Sequence, residues 1–465
     1  MKLFPAKKKG SPVEGRLQQI SLSTGRQLVI LVTVVVITSS TLALAQAGQL
    51  DSTFGTGGVF TTNFTQPDST MATAVAIQSD GKIVIGGSTP NSGALARLNT
   101  NGTLDSSFGT GGIVNNTFGA DGPVVAVVIQ PDGKIVASAE GFLGGSVGRF
   151  NSDGSLDTTF GNGGFAVSKS LDSGPGVLSA LALQSDGKIL VTGAGLIGRY
   201  TSEGQLDPTF GNSGIAALTF PIAIAMTLQS DGKILVVTGL GAPSELFGSP
   251  NLPGTQPGAI ARYNTNGSLD KSFGISGQAA CVASATAIAI QSNGKIVVAG
   301  AAPSALLTFT SDGITVADNQ TGFGVVRYNS NGSVDTTFNP GAGFGAGGGV
   351  ITGFGSSFPA GGAFALAIQS NGEIVVAGQA GVGTNGGLGF ASSSFVLAHY
   401  TTTGQLDTNF GTNGTVITTL NPGPISFVSA LVLQSDGKIV AAGNTGTTAR
   451  GGFTDNFAVA RYLSQ

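Results

Sequence analysis

Val75-Ala76-Ile77-Gln78-Ser79-Asp80-Gly81-Lys82-Ile83-Val84-Ile85-Gly86-Gly87 is the stretch that decides the fold. Two apolar runs flank Asp80-Gly81. Asp-Gly between such runs predicts a β-hairpin with a two-residue type I′ turn, which needs positive φ at both central positions. The Gln-Ser-Asp-Gly-Lys-Ile element returns, with small changes, at Gln130, Gln184, Gln229, Gln291, Gln369 and Gln434. A second element, Leu-Asp-x-x-Phe-Gly, stands at Leu50, Leu104, Leu156, Leu206, Leu269, Val334 and Leu406. Sevenfold self-similarity of this length means one supersecondary unit per repeat, stacked on its neighbours.

Working outward, each unit reads as four antiparallel strands, a to d. Strand a precedes the Asp-Gly turn and strand b follows it. Strand c ends in a phrase such as Ala261-Arg262-Tyr263-Asn264, and strand d opens with Leu-Asp-x-x-Phe-Gly after a second Gly turn. Successive glutamines lie 52, 54, 45, 62, 78 and 65 residues apart, lengths that suit a propeller blade and exceed a β-helix coil. Strand b is continuously apolar, as in Ile135-Val136-Ala137 and Ile374-Val375-Val376. Such runs imply burial on both sheet faces, as when blades stack. The 76 glycines and frequent β-branched residues oppose helix.

The two ends of the repeat region fit together. It opens on Gln49-Leu50-Asp51-Ser52-Thr53-Phe54-Gly55, a strand d without a, b and c, and finishes on Ala460-Arg461-Tyr462, a strand c without d. Joining them completes a seventh blade and removes exposed sheet edges. The expectation is all-β: a seven-bladed β-propeller of four-stranded antiparallel blades, closed by the N-terminal strand pairing with the C-terminal strands. The Gln-Ser-Asp-Gly-Lys-Ile…Ala-Arg-Tyr-Asn…Gly-x-Leu-Asp-x-x-Phe-Gly sentence resembles the delta-60 repeat of bacterial β-propeller proteins. The likeness covers nearly everything after residue 48. It implies a propeller with a surface or secreted location, and carries no catalytic residues to transfer.

Residues 1–47 differ in composition. Lys7-Lys8-Lys9, Arg16 and Arg26 precede an apolar run from Leu28 to Ile37, and Ala45-Gln46-Ala47 gives a small-x-small pattern before Gly48. This reads as a signal peptide over 1–47, ahead of a propeller domain over 48–465. The competing reading is an uncleaved N-terminal membrane anchor, for which Leu28 to Leu44 is short and broken by hydroxyls. Export as a secreted, periplasmic or cell-surface protein follows, with no membrane contact beyond this segment. Without those residues the domain holds 15 basic and 23 acidic residues, a net charge of −8. Twelve of the 15 cations occupy repeat positions, so no basic cluster is left to make a nucleic-acid groove.

Few residues could carry chemistry. The single histidine, His399, occupies the slot that is arginine in the other six repeats, which reads as a structural substitution rather than part of a Ser-His-Asp triad. Cys281 sits in apolar Ala279-Ala280-Cys281-Val282 and reads as a buried, inert thiol. The repeat aspartates after Leu or Val are expected to pair with the strand-c arginines inside each blade. Asn151-Ser152-Asp153-Gly154-Ser155-Leu156-Asp157 offers alternating oxygens for calcium, but the matching turns hold few carboxylates. No cofactor is expected, structural calcium being the one considered.

Length variation points to a face. The a–b and c–d turns scarcely vary, whereas the b–c connections Leu240 to Pro257, Ala301 to Gly322 and Gln379 to Ser394, and the d–a connection Asn339 to Gly362, are long. In a four-stranded blade these lie on one ring face, opposite the short turns, and long loops on a rigid scaffold are where function resides. The ligand-face candidates are Phe247, Leu252, Phe309, Asp312, Asp318, Phe354, Phe358 and Phe390. The functional expectation is a non-catalytic scaffold recognising polysaccharide or protein at the cell surface. The alternative is a propeller hydrolase or lyase acting on glycans or peptides. Asp312 and Asp318 are the close acidic pair such an enzyme would use, while the absence of Trp argues against sugar stacking.

Overall fold

The structure, a computed structural model, describes residues 46–464 apart from 63–69, 90–91, 116–121, 142–144, 167–177, 239–257, 282–283, 303–305, 311–312, 318–321, 341–347, 359, 384–389, 421–422 and 450–451. The expected signal segment, except its last two residues, lies outside the described residues. The described chain is all-β: seven four-stranded antiparallel sheets and one two-stranded hairpin. In the first blade, Met71–Ile77, Ile83–Thr89, Ser92–Leu98 and Ile113–Asn115 are strands a to d in spatial order. Blades two to six repeat this order. The seventh is assembled from both ends: Ile425–Leu433, Ile439–Ala449 and Gly452–Tyr462 are completed by Val59–Thr62, with Val59 opposite Ala460 and Thr62 opposite Phe457.

Seven apolar clusters hold the ring, and each spans two adjacent blades. Ala74, Val84, Leu95 and Phe108 of blade one meet Val124, Val127, Ile135 and Phe150 of blade two. At the closure, Phe54, Val440, Phe457 and Val459 of blade seven meet Ala72, Ile83, Ile85 and Leu98 of blade one. The five remaining clusters fill the other junctions, so every blade is packed on both faces. This is why strand b can be apolar at every position: Ile83 to Gly87 are all buried.

Two expectations about local geometry are corrected. The a–b turn is not a two-residue type I′ turn. Gly81 N–H donates to Gln78 O at 2.9 Å, and Gln78 N–H to Lys82 O at 2.9 Å. Gly81 has φ +83°, while Asp80 is not among the positive-φ residues. This is the three-residue loop in which a type I turn is followed by a left-handed Gly. The Asp80 side chain serves it by accepting the Lys82 amide at 3.1 Å.

The Leu-Asp-x-x-Phe-Gly element also does not form strand d. Leu104 makes one bridge to Leu98, and the chain then turns, with Phe108 N–H donating to Asp105 O at 3.0 Å. Strand d follows at Ile113–Asn115. The same shift places the closing strand at Val59–Thr62 rather than at Leu50.

That turn interlocks neighbouring blades. Gly55 N–H donates to Asn101 O of the next blade at 2.8 Å, and a Cβ on Gly102 (φ +82°) would meet the Gly55 nitrogen at 2.6 Å and the Phe54 ring at 2.9 Å. Only glycine fits there. The pattern recurs around the ring and ends with Gly411 N–H donating to Ala47 O at 2.9 Å, with Gly48 (φ +82°) against the Gly411 nitrogen. Gly48 is therefore the c–d turn glycine of the closing blade.

Candidate functional site

Two ring faces can be assessed. On the b–c and d–a side, three successive blades project hairpins. Blade five carries Leu306–Thr310 paired with Gly313–Ala317. In blade six, Ile374–Gly383 and Phe390–Tyr400 run past the usual strand length, and Val382 is still paired with Ser392. Blade seven does the same, its pairing continuing to Ala449 opposite Gly452. The blade-seven extension was missed from sequence because Thr445-Gly446-Thr447-Thr448 reads as loop.

The sequence candidates divide. Phe247, Leu252, Asp312 and Asp318 lie outside the described residues. Phe309 falls on the blade-five hairpin and Phe390 on the long blade-six strand, their side chains outside the description. Phe354 and Phe358 are half-buried against the cluster between blades five and six, Phe354 standing edge-on to Phe323 at 4.7 Å. Glu140, not singled out from sequence, lies just past strand b of blade two (Ile135–Ala139). Burial raises its carboxyl pKa.

The opposite face carries clefts between blades. One of 610 Å³ lies between blades seven and one, lined by Gln78, Gly81, Thr100, Gln434, Asp436, Lys438 and Arg461 among others. A repeat-equivalent cleft of 410 Å³ lies between blades three and four, at Gln184, Asp186, Lys188, Arg199, Gly232 and Thr265. Both are walled by residues of the repeat pattern.

Beneath these clefts runs the expected Arg–Asp network. Arg97 Nε meets Asp105 at 2.7 Å, Lys82 Nζ reaches the same oxygen at 2.9 Å, and the guanidinium lies 4.6 Å over the Phe108 ring. Five further blades repeat the arrangement. Burial pushes the Asp207 carboxyl up, but the Thr209 hydroxyl, the Thr209 amide and the Arg199 charge outweigh it and hold its pKa at about 2. Asp105, Asp157, Asp270 and Asp335 are held lower still, against the same burial, with their Ser or Thr neighbours, lysines and arginines acting together.

Blade six substitutes His399, fully buried, with Nδ1 3.0 Å from Asp407 and Nε2 2.6 Å from Gln369 and 3.5 Å from Glu373. Both ring nitrogens face partners that the arginine slot provides elsewhere, an arrangement that holds a blade rather than activates a nucleophile. Cys281 is buried, and burial pushes its thiol far above the ordinary range, leaving no thiolate to react. In the loop considered for calcium, Asp153 Oδ1 accepts the Ser155 amide and hydroxyl, while Asp157 Oδ2 faces Lys134 and Arg149. Among the described residues, no three His, Cys, Asp or Glu side chains converge as metal ligands.

The sequence profile of a β-propeller domain of unknown function (DUF5122) matches residues 78–108, 130–160, 184–210, 254–273, 310–338 and 434–464. The chain is a β-propeller repeat protein. The matched segments fall in blades one to five and seven of the propeller. Blade six, with Glu373 and His399 in place of Lys and Arg, holds none. No curated protein matches the propeller in sequence.

Similar solved structures include a streptogramin B lyase, at 13% identity and TM-score 0.49, over 87% of this chain and 97% of that one. Virginiamycin B lyase from Staphylococcus aureus gives 12% and 0.44, over 87% and 99%. The extracellular domain of a one-component system from B. thetaiotaomicron gives 13% and 0.42, over 86% and 40%. The fold of the propeller rests on its own seven sheets and on the profile match.

Proposed function

We propose that the propeller is an exported, non-catalytic binding or scaffold protein that recognises polysaccharide or protein through its b–c and d–a face. Its repeats are taken as the delta-60 kind, acting outside the cytoplasm, and the proposal invokes no cofactor. The observation that carries the reading is the set of hairpins raised by blades five, six and seven from one face, against uniformly short turns on the other. Paired strands hold such projections in a defined shape, which lowers the ordering cost of binding. Of the two groups best suited to nucleophilic chemistry, His399 is held by Asp407 and Gln369 and Cys281 is buried in an apolar cluster, which favours binding over catalysis.

The test is a thermal-shift screen of residues 46–465 against bacterial and plant polysaccharides and secreted-protein fractions. A ligand at about a hundred times its dissociation constant stabilises by roughly 2.7 kcal/mol. Ala302 N–H already donates to Gly322 O at 2.9 Å, so residues 303–321 can be replaced by Asn-Gly without separating the strand ends. A ligand-specific shift that this replacement removes supports the reading. A shift that survives this replacement combined with shortening of the blade-six and blade-seven hairpins, or turnover of a glycan or peptide, contradicts it.

A further inference from the structure

Six of the seven blade junctions share one clamp. At each, the strand-c arginine reaches across with Nη1 to a main-chain carbonyl in the c–d turn of the next blade. Arg97 donates to Ser152, Arg149 to Ser202, Arg199 to Thr265, Arg262 to Ser330, Arg327 to Thr402 and Arg461 to Thr100. In the same six blades the a–b lysine sits on the aspartate that the arginine holds. The junction between blades six and seven has neither. His399 replaces the arginine and Glu373 the lysine. The acceptor in register is the carbonyl of Gln46, two residues before the turn glycine Gly48, as Thr100 is two before Gly102.

Gln46 and Ala47 belong to this junction. Ala47 is 7% exposed, packed into the blade six–seven cluster, and its carbonyl takes the Gly411 amide as Asn101 takes that of Gly55. The Gln46 side chain donates Nε2 to Gly411 O at 3.3 Å, and its backbone nitrogen donates to Gln49 Oε1 at 3.3 Å. A cut at Ala47–Gly48, the bond expected from the sequence, would remove a buried side chain and the acceptor of the Gly411 amide. Two residues earlier, Ala43-Leu44-Ala45 places small residues at −3 and −1 of the Ala45–Gln46 bond.

We propose that the chain is processed between Ala45 and Gln46, so that Gln46 begins the working protein and its α-ammonium occupies the junction stripped of cations. Water adds to the Ala45 carbonyl carbon and the bond to the Gln46 nitrogen breaks. The products are an Ala45 carboxylate and a Gln46 ammonium, with no redox change, and the catalyst is the membrane-bound signal peptidase of the exporting cell. An arginine clamped on the Gln46 carbonyl would sit beside that ammonium, and like charges so close repel. Glu373 and Asp407 flank His399 on the blade-six side of this junction. The Gln46 amide is engaged with Gly411, which opposes its cyclisation onto the amine.

This inference rests on the export reading, and one experiment separates the two. The full chain is expressed with its own residues 1–45 in an exporting bacterium, and the N-terminus is read by terminal sequencing and intact mass. Gln46 with a free amine is the expected result. A terminus at Gly48, a cyclised Gln46 or an intact Met1 overturns this inference and leaves export standing if the protein fractionates outside the cytoplasm, whereas an intact Met1 on protein retained in the cytoplasm overturns both. Ala43→Phe, upstream of the first described residue, is expected to block or shift the cut. Processing unchanged by it overturns the assignment of the bond.

Discussion

Asp207→Asn tests what the Arg–Asp network contributes. The wild-type carboxylate meets Arg199 Nε at 2.9 Å and Lys188 Nζ at 3.5 Å, and accepts the Thr209 amide at 3.0 Å and its hydroxyl at 2.7 Å. Asparagine keeps an acceptor for Thr209 but removes the charge and leaves Arg199 buried without its counterion. The folded pKa of about 2 lies below the ordinary aspartate value, so the folded state prefers the ionised form. That difference is worth about 2–3 kcal/mol at neutral pH. Removing one partner of a buried pair costs about 3–5 kcal/mol, so with the retained acceptor we expect a loss of about 2–3 kcal/mol. Spread over a ring that melts as one unit, this lowers the melting temperature by about 3 °C.

The sign of the pH dependence follows. A depressed carboxylate stabilises above its unfolded pKa and ceases to do so as pH falls through its folded one. The calorimetric gap between wild type and variant therefore narrows on acidification, to about half its neutral value at pH 3. An unchanged melting temperature at pH 7 would refute the reasoning. So would a gap that stays constant down to pH 3, because its origin would not then be the charge.

Three further outcomes are expected. Gly267→Ala, at φ +86° with a new Cβ 2.9 Å from the Phe210 ring, lowers stability by about 2–3 kcal/mol in chemical denaturation; a loss under about 0.5 kcal/mol counts against the interlock. Phe160→Ala, fully buried between blades two and three, costs about 3–5 kcal/mol in the same assay. Cys281 stays unlabelled by a thiol reagent in the native protein and reacts in denaturant, whereas rapid native labelling would show that the thiol is accessible.

The ring was legible because one sentence is written seven times and its ends are complementary. The turn geometry was less so. Asp80-Gly81 is compatible with two loop lengths, and the choice depends on whether Gln78 pairs with Lys82, which no local preference dictates. Leu104-Asp105-Ser106-Ser107-Phe108 has the spacing of a strand, but Asp105 Oδ1 captures the Ser107 amide and hydroxyl and bends the chain. On the candidate face, loop length located the projecting b–c connections of blades five and six. It could not distinguish free aromatic residues from Phe354, which packs against Phe323. The role of Ala47 was hidden for a different reason: its sequence reads as a cleavage motif, and only its contacts place it in the ring.

Ring closure is tested most directly by a disulfide trap. Thr61 and Ala458 face each other in the closing sheet, and Cys281, the single native cysteine, is buried. Thr61→Cys with Ala458→Cys should oxidise intramolecularly and give one linked peptide pair by mass spectrometry. Thr61→Cys with Phe453→Cys, displaced by five residues along the strand, should not. Failure of the first pair to link, or equal linking by both, would contradict a ring closed by Val59–Thr62.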